Sequence, residues 1–148
     1  MDKTVIISIR SVVQSVDNEP PESTELITEG RLTDCGEAGY TLSYQESEIT
    51  GLEGTLTTFH VEPDCITLMR VGQFNSQMVF QPGRRHFSFY GTPYGTMSIG
   101  VNTRRMRSNL TADGGQIEID YAVEIDHALV GKHVFRIDVR ERPTPLRQ

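Results

Sequence analysis

Glu46 and Arg70 sit where the alternation of their own segments turns them toward the apolar side. Glu46 continues the face of Leu42 and Tyr44, and Arg70 continues the face of Ile66 and Leu68. Cys65, Met69 and Val71 on the opposite face make the second assignment less clean. A charge carried into an apolar interior is costly unless it is paired and hydrogen-bonded. Two arrangements answer that cost. One is an internal ion pair in a packed core. The other is a wet cavity in which Arg70 grips a polar or anionic head group and tyrosines form the walls. Tyr121 lies within an isoleucine and valine stripe, and Thr103 ends the stripe Met97, Ile99, Val101. In Thr92-Pro93-Tyr94-Gly95, proline and glycine stand where a type I turn favours them. Tyr94 is the residue the turn does not require, and it is placed to cap a barrel mouth. Tyr44, Glu46, Arg70, Tyr94, Thr103 and Tyr121 are the candidate ligand-binding residues.

Other chemistries find less support. The four histidines, His60, His86, His127 and His133, do not pair at metal-ligand spacing, and Cys-x-x-Cys and His-x-His are both absent. No metal and no cofactor are expected. No glycine-rich loop opens a helix, so phosphate-cradling motifs are missing. The serines lack a nucleophile elbow. Arg84-Arg85 and Arg104-Arg105-Met106-Arg107 are the basic clusters. They read as a solvated rim, because the chain carries a net charge of −6. That balance disfavours nucleic acid and anionic membrane as partners.

The elements that must position these residues are strands. From Gln116 to Asp126, Ile117, Ile119, Tyr121, Val123 and Ile125 share one face, while Gln116, Glu118, Asp120, Glu124 and Asp126 share the other. Only a strand alternates in this way, and one wet face points to antiparallel pairing. The same period recurs along the chain, broken by Gly, Pro, Asn and Asp turn signals. It predicts ten strands, centred near residues 9, 29, 43, 58, 68, 78, 88, 101, 121 and 137. Val12-Val13 shifts the phase of the first, so a bulge is expected there. The chain of 148 residues reads as one all-β domain, 1–148, folded as an antiparallel up-and-down barrel whose closure removes exposed edges. No apolar run approaches a membrane span, and no secretory signal is visible. A cytoplasmic location is expected, with Cys35 and Cys65 as unbridged thiols.

Tyr44-Gln45-Glu46, Arg70-Val71-Gly72, Thr92-Pro93-Tyr94-Gly95 and the run Gly115 to Tyr121 resemble, in order and spacing, the landmarks of the YwiB-like family. These are small bacterial proteins grouped as a domain of unknown function. The resemblance runs from about residue 4 to residue 141. It implies a calycin-like barrel, of the lipocalin and fatty-acid-binding-protein type, and it implies no activity and no catalytic residues. The expected function is non-enzymatic binding of a small amphipathic or anionic ligand inside the barrel. One alternative is an enzyme with an interior acid–base pair of Glu46 and a tyrosine. Another is a solid barrel acting as a structural or interaction module. Oligomeric state is not legible in the sequence.

Overall fold

Wherever polar and apolar residues alternate, the chain is a strand. The computed structural model describes residues 2–15, 19–47, 53–72, 76–92 and 95–142. Its ten strands are β1 (Asp2–Ser15), β2 (Glu22–Asp34), β3 (Tyr40–Gln45), β4 (Thr55–Val61), β5 (Ile66–Gly72), β6 (Ser76–Phe80), β7 (Arg85–Thr92), β8 (Gly95–Ser108), β9 (Gly114–Ile125) and β10 (Ala128–Glu141). A 3-10 turn at Gly36–Ala38 is the only helical piece among the described residues. Among those residues, no helix is long and apolar enough to cross a membrane.

All ten strands form one antiparallel sheet in the order β6-β5-β4-β3-β2-β1-β10-β9-β8-β7. Consecutive strands pair as hairpins on both sides of the terminal pair, and β1 pairs with β10. The chain's two terminal strands therefore meet in the middle of the sheet. Lys3 on β1 bonds Glu141 on β10 and Asp113 in the β8–β9 turn, tying that junction at the surface. The sheet curls until β6 and β7 face each other across a seam, so the barrel is nearly closed.

Among the described residues, the seam has no ladder of its own. Ser88 Oγ donates to Gln77 O (2.7 Å), and His86 Nε2 lies 3.0 Å from Gln81 Oε1. Gly83 N donates to Thr103 O on β8 (3.0 Å) and Gln81 N to Thr103 Oγ1 (3.2 Å). Side chains and the β6–β7 turn thus do what strand pairing does elsewhere. The expected loss of all edges by closure is incomplete at this one place.

The interior is apolar over most of its length. Val5, Ile7, Leu32, Leu42, Phe59, Ile66, Leu68, Ile117, Ile119 and Ile137 are almost wholly buried. Ile27, which breaks the alternation of β2, points outward and is 62% exposed. The bulge expected at Val12-Val13 does not occur. β1 stays in continuous register with β10 and with β2, because its last residues run past the core and both valines are only half-buried. The register shifts lie instead between Thr103 and Arg105 on β8 and between Leu129 and Gly131 on β10.

Candidate functional site

Three of the residues singled out by alternation come together at one end of the interior. Tyr44 on β3 pairs with Thr57 on β4, and Thr57 pairs with Arg70 on β5. The three side chains stand in a row across neighbouring strands, about 4.8 Å apart from strand to strand. Glu46 follows β3 on the same face, and its N–H donates to Thr55 O (2.9 Å). Glu46 is 6% exposed and Tyr44 7%. Gly30 on β2 makes this possible. A Cβ there would lie 2.4 Å from both Ile7 Cδ1 and Ser43 O and 3.3 Å from Tyr44 Cβ, so a side chain at residue 30 would force Ile7 and the β3 backbone that carries Tyr44 to shift.

The electrostatics of the group are unusual for a packed core. Thr57 Oγ1 donates to Glu46 Oε1 (2.9 Å). The other carboxylate oxygen, Glu46 Oε2, and the Arg70 Nε are buried with no hydrogen-bond partner. The ion pairs among the described residues include none between Glu46 and Arg70; they lie on the outside or the rim. Burial pushes the Tyr44 phenol well above its ordinary range; the Glu46 charge and a hydrogen bond to the Glu46 carboxylate add to the rise, while the Arg70 charge and a hydrogen bond with Thr57 oppose it. Thr55 and Thr57, both fully buried, complete the group. Alternation with Phe59 and Val61 already places them inward, but outward Leu56, itself apolar, hides that pattern.

Thr103 and Tyr121 belong to a different place. Tyr121 stacks on His133 (centroids 5.0 Å, 21°) and packs against Phe80 (4.7 Å) and Phe135 (5.9 Å). Thr103 is buried beside it, paired with Tyr121 and bonded to Gln81 N. Phe80 pairs with Ile66 on β5, whereas Arg70 pairs with Ser76, four residues along both strands. That separates the two groups by roughly 13 Å. The six candidates are therefore not one site. Tyr94 lies outside the described residues.

A third arrangement sits on the outer face of β3 and β4. Glu62 Oε1 lies 3.2 Å from His60 Nε2, His60 Nδ1 3.3 Å from Thr41 Oγ1, and Thr41 Oγ1 3.5 Å from Cys35 Sγ. The carboxylate can only accept, which fixes the proton on Nε2 of a neutral His60 and leaves Nδ1 to accept from Thr41. Cys35 is exposed and Cys65 half-buried, and both are free thiols. Ellman's reagent should therefore consume Cys35 first in the native protein and reach two thiols per chain only after denaturation. Equal native rates would mean that Cys65 is as accessible as Cys35.

The basic clusters are rim residues, as expected. Arg84, Arg104, Arg105 and Arg107 are exposed, and Arg85 pairs with Glu124 (3.1 Å). Acidic partners are interleaved, as where Arg136 meets Glu118 (3.3 Å).

Half-buried His133 and buried Tyr44 each add a pH dependence to stability. Burial lowers the His133 imidazole below 6.5, so as pH falls through 6.5 the unfolded chain takes up a proton that the fold refuses, and stability declines. Tyr44 is raised, so above about pH 10 the unfolded chain loses a proton that the fold retains, and stability declines again. Denaturant midpoints should form a plateau between these limits. His133→Gln should lessen the acid decline, and Tyr44→Phe the alkaline one. A midpoint that falls just as steeply in both variants would assign the limits to other groups.

The fold and the site together define a class: a nearly closed, antiparallel ten-stranded barrel with a polar group buried at one end. The family described as "Domain of unknown function (DUF1934)" matches residues 7–137, and the chain belongs to that family. The structure is also similar to the crystal structure of the ywiB protein from Bacillus subtilis, with a TM-score of 0.74 and 20% identity over 93% of this chain and 92% of that one. At that identity the likeness concerns the fold, and it agrees with the YwiB-like resemblance carried by the sequence landmarks. No curated protein matches the chain.

Proposed function

We propose that this protein binds a small amphipathic molecule inside its barrel, without chemical turnover. The polar end of the ligand lies against Tyr44, Glu46 and Arg70, and its apolar end among Leu42, Phe59 and Leu68. One observation carries this reading: Glu46 Oε2 and Arg70 Nε are buried and unpartnered. Each such group costs about 1–3 kcal/mol, and natural structures leave few of them unexplained. A ligand that bonds both offsets that cost. Strand number supports the reading, since about eight strands already make an interior that side chains just fill, and this sheet has ten. A calycin-like role and a cytoplasmic setting, where thiols such as Cys35 and Cys65 stay reduced, fit the same picture.

The enzyme alternative is weaker on a specific ground. A general acid or base works best with a pKa near the working pH, and Tyr44 is displaced the wrong way. Native mass spectrometry of protein purified from its own host tests the binding reading. The wild type should retain a small molecule that the Glu46→Gln/Arg70→Met double variant loses. A bare wild-type mass in gentle conditions would favour the solid barrel and overturn the proposal.

A further inference from the structure

We propose that the head group this interior accepts is uncharged and presents a hydrogen-bond donor beside an acceptor, as a primary carboxamide does. The inference rests on the interior being a binding site, and it names the chemistry of the occupant. The orphaned atoms are of opposite kinds. Glu46 Oε2 accepts only, and Arg70 Nε–H donates only. Thr57 donates its hydroxyl proton to Glu46 Oε1 and the Tyr44 phenol also hydrogen-bonds the Glu46 carboxylate, yet Oε2 itself is left without a partner. Tyr44 and Arg70 flank Thr57 in one cross-strand row and Glu46 bonds Thr57, which sets the two charges around one place, and both act on the Tyr44 phenol.

Each class of head group can be scored against this pair. A carboxylate, the head group of a fatty acid, would satisfy Arg70 but set a second negative charge beside Glu46 and leave Oε2 without a donor. An ammonium would satisfy Glu46, leave Nε without an acceptor and face the guanidinium charge. A zwitterion would satisfy both, but it would bring two more charges into a desolvated space, where the desolvation penalty can exceed the Coulombic gain. A carboxamide supplies N–H to Oε2 and C=O to Nε–H with no added charge. The site is net neutral, one carboxylate with one guanidinium, and a neutral head group preserves that balance. The apolar residues beyond the site, Leu42, Phe59 and Leu68, call for a hydrocarbon tail on the same molecule.

Isothermal titration of purified, delipidated protein at pH 7 with decanamide, decanoate and decylammonium tests the assignment. Wild type should bind decanamide about tenfold or more tighter than either charged probe. Glu46→Gln leaves Arg70 as the only charge, so the preference should cross over toward decanoate. Arg70→Met leaves Glu46, so it should cross over toward decylammonium. Near-UV circular dichroism checks that the variants keep their packing, and the wild-type ranking decides the question even if they do not. Decanoate binding tightest to wild type would overturn the neutral head group while leaving an interior site intact. Binding of none of the three, to wild type or to either variant, would overturn the interior site together with the head-group assignment.

Discussion

Phe80→Ala is expected to lower the melting temperature by roughly 6–20 °C. Phe80 ends β6 and is fully buried, with its ring 4.7 Å from that of Tyr121 on β9. Among the described residues, β6 has ladder bonds only to β5. On its other side the described contacts are the Ser88 bond, the Gln81–His86 contact, the bonds of Gln81 and Gly83 to Thr103 and this ring. Truncating a buried phenylalanine costs about 3–5 kcal/mol, the lost transfer energy plus the cavity left behind. For a domain of this size each kcal/mol moves the midpoint by about 2–4 °C. Phe59→Ala is the control, because Phe59 is equally buried but sits on β4, which is laddered on both sides. If the seam is held by packing, Phe80→Ala should also increase amide exchange in β6 and β7, and Phe59→Ala should not do so selectively. A loss below about 1 kcal/mol at Phe80 would mean that the seam is already loose or hydrated, and that packing across it contributes little.

The seam marks the limit of what the sequence makes legible. Most strands announce themselves by period two, since alternation is a local consequence of one buried face, and each of the ten lies near its expected centre. Pro82-Gly83 reads as an ordinary hairpin turn, yet the strands it joins do not pair. What decides this is distant. Gly83 and Gln81 bond to Thr103 on β8, beside a register shift that no local signal reports. The site shows the same division. Parity alone turns Glu46 and Arg70 inward, with one strand between them. It cannot show that Tyr121 and Thr103, equally inward, lie with Phe80 in a separate group. Nor can it show that Thr57 stands between Tyr44 and Arg70, because β-branched threonine is at home in any strand. Val12-Val13 misleads for the converse reason. A break in alternation means a bulge only where one face must stay buried, and that end of β1 has left the core.

Glu46→Gln and Arg70→Met are each expected to stabilise the ligand-free protein, by about 1–2 kcal/mol. An ion pair would make the opposite prediction. Breaking a buried pair strands the partner charge and costs about 3–5 kcal/mol, and the double variant recovers much of the loss. Here Glu46 Oε2 and Arg70 Nε are both buried without partners, so Arg70→Met removes an unmet desolvation cost of about 1–3 kcal/mol, and Glu46→Gln exchanges an unpartnered buried charge for a neutral amide that is less costly to desolvate. A glutamine in place of Glu46 keeps an oxygen to accept the proton of Thr57, so the bond between these two side chains survives. A methionine in place of Arg70 keeps most of the arginine's apolar stem. Because both charges act on Tyr44, the double variant should depart from the sum of the singles by about 0.5–3 kcal/mol. The Glu46→Gln change should also bring the Tyr44 phenol down toward its ordinary range, since the Glu46 charge is part of what raises it. Guanidinium unfolding of the four proteins, stripped of ligand, measures the cycle. Losses of about 3 kcal/mol or more with recovery in the double would establish a buried pair and remove the reason for a ligand. Gains in stability accompanied by loss of the bound molecule would mark two residues kept for binding at the expense of the fold, as functional sites commonly are.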